Sequence, residues 1–76
     1  MKRLENSECL EDFGEFLKEA RLKRDMFQTE VATLAGISQN YYSLIERGRR
    51  NVDFVLAVKL CKILRIDISD FIKTHM

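Results

Sequence analysis

Apolar residues recur along the chain at three- and four-residue intervals in separate runs, the spacing that lines one face of a helix. Leu10, Phe13, Leu17 and Ala20 make the first run, flanked by Glu15, Lys18, Glu19 and Lys23. They predict a helix that starts near Cys9 and ends at Asp25 and Met26. Gly14 interrupts it at a cost of about 1 kcal/mol against alanine, which implies that another element packs closely over that turn. Phe16 lies off the stripe, as either a second contact surface or an ordinary exposed aromatic.

The second run is Val31, Ala32 and Ala35, in a helix opened by Gln28 or Thr29 with Thr29 as its N-cap; the third is Tyr42 and Ile45. Gly36 separates them and supplies the left-handed backbone that ends one helix and turns the chain into the next. Ser38 then offers an N-cap hydroxyl, leaving Gln39, Asn40 and Ser43 on the outer face. After a loop from Gly48 to Val52, Asp53 caps a fourth helix through Leu64, with Ala57, Leu60, Cys61 and Leu64 facing the core. Asp67 caps a short fifth helix in which Ile68, Phe71 and Ile72 close the bundle. Residues 1–8 and 74–76 carry little that could be buried and are expected to fray, which leaves one domain over 9–73. The fold class is all-α, a five-helix bundle.

Composition narrows the chemistry. Seventy-six residues lie near the lower limit for a single core without staples, and 46% hydrophobic content with no proline and three glycines suits helices joined by short turns. Cys9 and Cys61 make no metal-ligand spacing, and the one histidine, His75, cannot complete a zinc set, so no metal and no cofactor are expected. The N-terminus lacks the apolar run of a signal peptide and no segment is long enough to span a bilayer, so the expected location is cytoplasmic. A net charge of +1 argues against a uniformly basic coat for nucleic acid. The charge is uneven, however. Lys2 and Arg3 are outnumbered by Glu5, Glu8, Glu11 and Asp12, whereas Arg47, Gly48, Arg49 and Arg50 form a purely positive run just after the two-helix stretch. No glycine-rich phosphate loop and no acid pair beside a nucleophile point to an enzyme.

The pattern Gly14, Leu17, Ala20, Arg21, Gln28, Val31, Ala32, Ala35, Gly36, Ile37, Ser38, Tyr42, Ile45, Glu46, Arg47, Gly48 resembles the helix-turn-helix domain of the Cro/CI type, or Xre family, over about residues 13–72. Within it, the chain is similar to the small controller proteins of restriction-modification systems and to compact phage-type repressors. The resemblance implies a lambda-repressor-like fold and a regulator of transcription, a repressor for instance, bound to a double-stranded DNA operator. Its second motif helix would enter the major groove. On that analogy Gln39 is the first choice for reading a base, because its amide matches both groups of an adenine edge. Asn40, Ser38, Ser43 and Leu44 complete the reading set, with Leu44 placed for a thymine methyl. Gln28 and Thr29 would meet a phosphate at a helix N-terminus, and Tyr41, Arg47, Arg49, Arg50 and Asn51 would hold phosphates along the backbone.

Arg21 and Glu46 match positions that form a structural ion pair in the family. Two positions depart from it. Tyr42 stands where a branched aliphatic residue is usual, so its ring must find room or its hydroxyl must reach the surface. Arg65 stands where a helix-ending glycine is frequent, so it must take a strained turn or end the helix differently. One domain presents one reading helix, so a two-half-site operator calls for a homodimer, and Val55, Leu56 and Ile63 lie off the core face of the fourth helix as its interface, extended by Ile66 and the final helix. An antitoxin that binds its own promoter, or a protein-interaction module without DNA binding, are the other readings. No small-molecule effector is evident.

Overall fold

The computed structural model describes residues 7–75, as five helices: α1 (Ser7–Lys23), α2 (Gln28–Ala35), α3 (Gln39–Glu46), α4 (Phe54–Ile63) and α5 (Ile68–His75). The predicted stripes of α1 to α4 point inward. Leu10, Phe13, Leu17 and Ala20 of α1 are buried with Val31, Ala32, Ala35, Tyr42, Ile45, Ala57, Leu60, Cys61, Leu64 and Phe71 in a single core. The thiols of Cys9 and Cys61 lie inside it, and burial, with Asp67 nearby, pushes Cys61 up to about 11, so it stays protonated and unreactive.

Helix ends follow local chemistry. Ser38 Oγ accepts the Tyr41 N–H at 3.0 Å, Asp53 Oδ1 accepts that of Leu56 at 2.8 Å, and Asp67 Oδ1 accepts that of Ser69 at 2.9 Å. Gly36 closes α2 at φ 74°, with the Ile37 N–H reaching back to Ala32 O at 3.0 Å. Arg65 performs the same turn at φ 56°, and the Ile66 N–H returns to Cys61 O at 2.9 Å. The strain of a non-glycine residue there is offset by Arg24, whose Nε donates to the orphan carbonyl of Leu64 at 2.7 Å.

Five boundaries or packings differ from the sequence expectation. The N-cap of α2 is Phe27, and Thr29 lies inside the helix. Helix α1 already includes Ser7 and Glu8; the expectation for residues 1–6 falls outside the described residues. Helix α5 runs through Thr74, whose hydroxyl donates to Asp70 O at 3.0 Å, to His75, whose ring stacks on Phe71 at 4.3 Å. Phe16 is no separate contact surface: it is half-buried against Phe71, at 5.6 Å between ring centres, and Phe13, at 6.2 Å. In α5 itself Phe71 is buried and Ile68 partly so, while Ile72 is 40% exposed.

Gly14 brings α1 and α3 together. A Cβ there would collide with Glu46 O and stand 2.6 Å from Ile45 O, both rigid backbone atoms at the end of α3. The Gly14→Ala variant should therefore lose about 1–3 kcal/mol through overpacking despite its better helix propensity. Urea unfolding at equilibrium checks this, and an alanine variant as stable as the parent would contradict the close approach.

Candidate nucleic-acid interface

Helices α2 and α3, joined through Gly36 and Ser38, present two neighbouring N-termini. Tyr42 and Ile45 anchor α3 in the core, which turns Gln39 and Asn40 fully outward and leaves Ser43 and Leu44 half-buried on the flank. Ser38 is exposed; its oxygen serves as the cap acceptor, and its O–H and second lone pair remain for a further contact.

Behind this face lies the Arg21–Glu46 pair. Arg21 Nε donates to Glu46 Oε2 at 2.7 Å and Nη2 to Oε1 at 3.1 Å, with side-chain exposures of 10% and 3%. A third guanidinium nitrogen, Nη1, donates to Met26 O in the α1–α2 turn at 2.9 Å. The fork-to-fork geometry is what a desolvated pair requires to offset the loss of hydration. Burial alone would raise the Glu46 pKa, but hydrogen bonds from Arg21 and Gln28 and the nearby Tyr42 hydroxyl outweigh it, so the carboxyl titrates below its usual value. The same bond to Glu46 raises Arg21 further, against the opposing effect of burial. The Tyr42 ring does find room: it is fully buried. Its hydroxyl stays inside without a hydrogen bond of good geometry, although burial first, and Glu46 second, raise its pKa strongly.

The pair extends to the surface through two amides. Gln28 Nε2 donates to Glu46 Oε1 at 2.9 Å, and Gln39 Nε2 donates to Gln28 Oε1 at 3.3 Å. Gln28 is thus half-buried and committed at both ends of its amide, with one N–H to spare. Gln39 is held by one N–H only; its second N–H and its carbonyl oxygen remain available together, the donor–acceptor pair that an adenine edge needs. Thr29 stands exposed at the head of α2, where the Glu30 N–H turns back to Phe27 O at 3.1 Å and those of Gln28 and Thr29 precede any intrahelical acceptor.

The α3–α4 loop carries Arg47, Arg49, Arg50 and Asn51, all exposed. It is held from both sides. Gly48, at φ 70°, packs so tightly on α1 that a Cβ would lie 2.6 Å from Glu11 Cγ and 2.7 Å from Glu11 Cα. Tyr41 is partly buried and its hydroxyl donates to Asn51 O at 3.3 Å, while the Arg50 guanidinium lies over its ring at 5.0 Å. Tyr41 therefore shapes the loop and seats Arg50 instead of pointing its hydroxyl freely outward. An open cleft of about 500 Å³ runs between α1 and α3, and besides Gln28, Ser43, Arg47 and Arg49 it is lined by Glu11, Glu15 and Lys18 of α1. Glu15 and Lys18 looked like an ordinary solvated flank in the sequence and Glu11 like part of an acidic N-terminal stretch, since nothing local signals that α1 borders α3 there.

Of the residues expected at a dimer interface, Val55 is 76% exposed, whereas Leu56, Ile63 and Ile66 are half-buried against the core. Phe54, which sequence reasoning missed, is 61% exposed beside Val55. Among the described residues no cluster of side chains could hold a metal ion, and no helix is long and apolar enough to cross a membrane.

Residues 17–71 match a protein-family model described as Helix-turn-helix (HTH_3). The chain is 39% identical over 59 residues to the control protein C.MunI of a Mycoplasma species, covering 76% of this chain and 80% of that protein. Among solved structures it is similar to the restriction-modification controller protein C.AhdI from Aeromonas hydrophila, with TM-score 0.76, 35% identity and coverage of 82% of this chain and 94% of the other. It is also similar to the controller protein C.Esp1396I, solved as a tetramer in complex with its natural 35 base-pair operator, with TM-score 0.73, 26% identity and 86% of each chain covered.

Glu46→Gln should leave the Arg21 charge buried without its counter-ion and cost about 3–5 kcal/mol at neutral pH. Because the folded-state pKa of Glu46 is depressed, its contribution is present above the unfolded carboxylate value of about 4.3 and is lost as pH falls through the lower folded value. Urea unfolding from pH 7 to pH 2 should show a smaller acid loss in the glutamine variant than in the parent; parallel curves would deny the pair this role.

Proposed function

The chain belongs to the helix-turn-helix family of the Cro/CI, or Xre, type, and we propose on that premise that it is a sequence-specific transcriptional regulator that binds operator DNA as a homodimer. The observation that carries this reading is the fixed position of Gln39. It stands at the exposed head of α3, tied through Gln28 to a buried ion pair, beside a loop of three exposed arginines. A side chain pre-ordered in this way reads a base edge with little loss of conformational freedom on binding.

In this reading α3 lies in the major groove. Gln39 pairs with an adenine, Asn40, Ser38 and Ser43 offer further polar contacts, and Leu44 meets a thymine methyl. The spare N–H of Gln28 and the first-turn N–H groups of α2, with Thr29, receive one phosphate. Arg47, Arg49, Arg50 and Asn51 receive others, Arg50 being aimed by the Tyr41 ring. Two copies related by a two-fold axis would place their reading helices about 34 Å apart. The exposed Phe54 and Val55, bordered by the half-buried Leu56, Ile63 and Ile66, supply an apolar surface for that contact. The similarity to controller proteins, one of them solved on its operator, supports a regulator of that kind acting in the cytoplasm. The task is binding, and it calls for no catalytic group and no cofactor.

A duplex selected by the wild-type protein from a randomised pool serves as the operator. Gln39→Ala should weaken binding to it by about 1–3 kcal/mol and leave random duplex almost unaffected, whereas Arg50→Ala should weaken both and reduce the salt slope by about one. Equal losses for Gln39→Ala on both duplexes would remove it from base reading. Phe54→Glu with Val55→Glu should yield a folded monomer by sedimentation that holds the selected duplex far more weakly. A wild-type protein already monomeric at tens of micromolar would defeat the proposed interface.

A further inference from the structure

Helix α2 begins at a residue poorly suited to begin one. N-cap positions favour Ser, Thr, Asp or Asn, whose side-chain oxygen accepts a first-turn N–H; a phenyl ring forgoes that bond. Phe27 holds the position in extended geometry, φ −85° and ψ 155°, with no side-chain cap hydrogen bond. Only the reverse contact exists, Glu30 Oε1 accepting the Phe27 N–H at 2.8 Å. Nor does the ring help the core, since Phe27 is 73% exposed. Neither capping nor core packing accounts for the ring, which leaves a large apolar group free to meet a partner at the head of α2.

Its surroundings indicate which partner. Phe27 shares an open cleft of about 370 Å³ with Arg21, Gln28, Thr29 and Gln39. Gln28 and Thr29 form the helix end assigned above to a phosphate, and Gln39 is the base-reading side chain. Between its phosphates and its base edges a duplex presents deoxyribose, whose ring carbons are apolar. We propose that Phe27 is a further DNA-contacting residue whose ring packs on a backbone deoxyribose next to the phosphate held by α2. This rests on the operator-binding reading. The contact carries no charge, so it releases no counter-ion, and it touches no base edge, so it is blind to sequence. It thereby differs in kind from both Gln39 and the loop arginines.

The test is Phe27→Ser in the full chain, read by thermal unfolding and by binding to the selected and random duplexes across a salt series. Serine supplies the missing cap, so the unfolding midpoint should rise by roughly 4–8 °C. Binding should nevertheless weaken on both duplexes by about tenfold, the value of roughly 50–60 Å² of apolar surface left in water, with an unchanged salt slope. Phe27→Leu should fall between the two. Undiminished binding, a loss confined to the selected duplex, or a slope reduced by about one would each overturn the proposal. A fourth arm replaces thymine by deoxyuridine in the selected duplex: if the wild type then loses affinity and Phe27→Ser does not, the ring meets a thymine methyl and the sugar contact is wrong. Failure of the wild type to bind any duplex at low salt would instead overturn the regulator reading itself.

Discussion

Arg21 and Glu46 lie 25 residues apart in sequence and meet at the point where α1, the α1–α2 turn and the end of α3 converge. Neither charge could remain in so dry a place alone, so each fixes the element that carries the other. The guanidinium plane also accounts for a third group, the Met26 carbonyl, which a lysine could not reach while forking onto the carboxylate. The orientation of α3 is therefore set from inside the domain. Its exposed tip inherits that order through Gln28 and Gln39.

Near this pair α1 comes closer to the end of α3 and the loop after it than ordinary side chains allow, and two glycines make the approach possible. Gly14 admits the last carbonyls of α3, and Gly48 admits the backbone of α1 at Glu11. The end of α3 and the arginine loop are thus both seated on α1 through a glycine. Tyr42 lies fully buried beside the ion pair, and burial first, with Glu46 second, holds its hydroxyl well above the usual phenol range.

The helices, the core stripe and the caps at Ser38, Asp53 and Asp67 were legible because each rests on local spacing or a single side chain. The glycine-directed approach was legible at Gly14 in kind, though not its partner, because a glycine within an apolar stripe says that something comes near and not what. The cap at Phe27 was missed because no oxygen marks it; Thr29, two residues on, carries the expected chemistry but lies inside the helix. Leu56, Ile63 and Ile66 illustrate another blind spot. A helical wheel separates core from off-core positions, yet the broad buried face of α4 takes in Leu56 and Ile63, which the wheel assigns to the outside, and the turn after α4 folds Ile66 back against the same core. Tyr41 shows the same limit at the site, since its bond to Asn51 and its place beneath Arg50 depend on the path of a loop.

With a net charge of only +1 the molecule has little overall attraction for a polyanion. Whatever attraction it exerts must come from where its cations stand. Arg47, Arg49 and Arg50 are gathered in a loop that is pinned at Gly48 and at Tyr41, and Lys18 joins two of them along the α1–α3 cleft. The same cleft holds the carboxylates of Glu11 and Glu15, which oppose a phosphate placed out of register. Under the proposed function that mixture favours geometry over bulk charge: a duplex that seats its phosphates on the arginines and on the head of α2 keeps clear of the carboxylates, and one that slides does not. The discrimination expected of Gln39 then acts on a duplex whose position the surrounding charges already constrain.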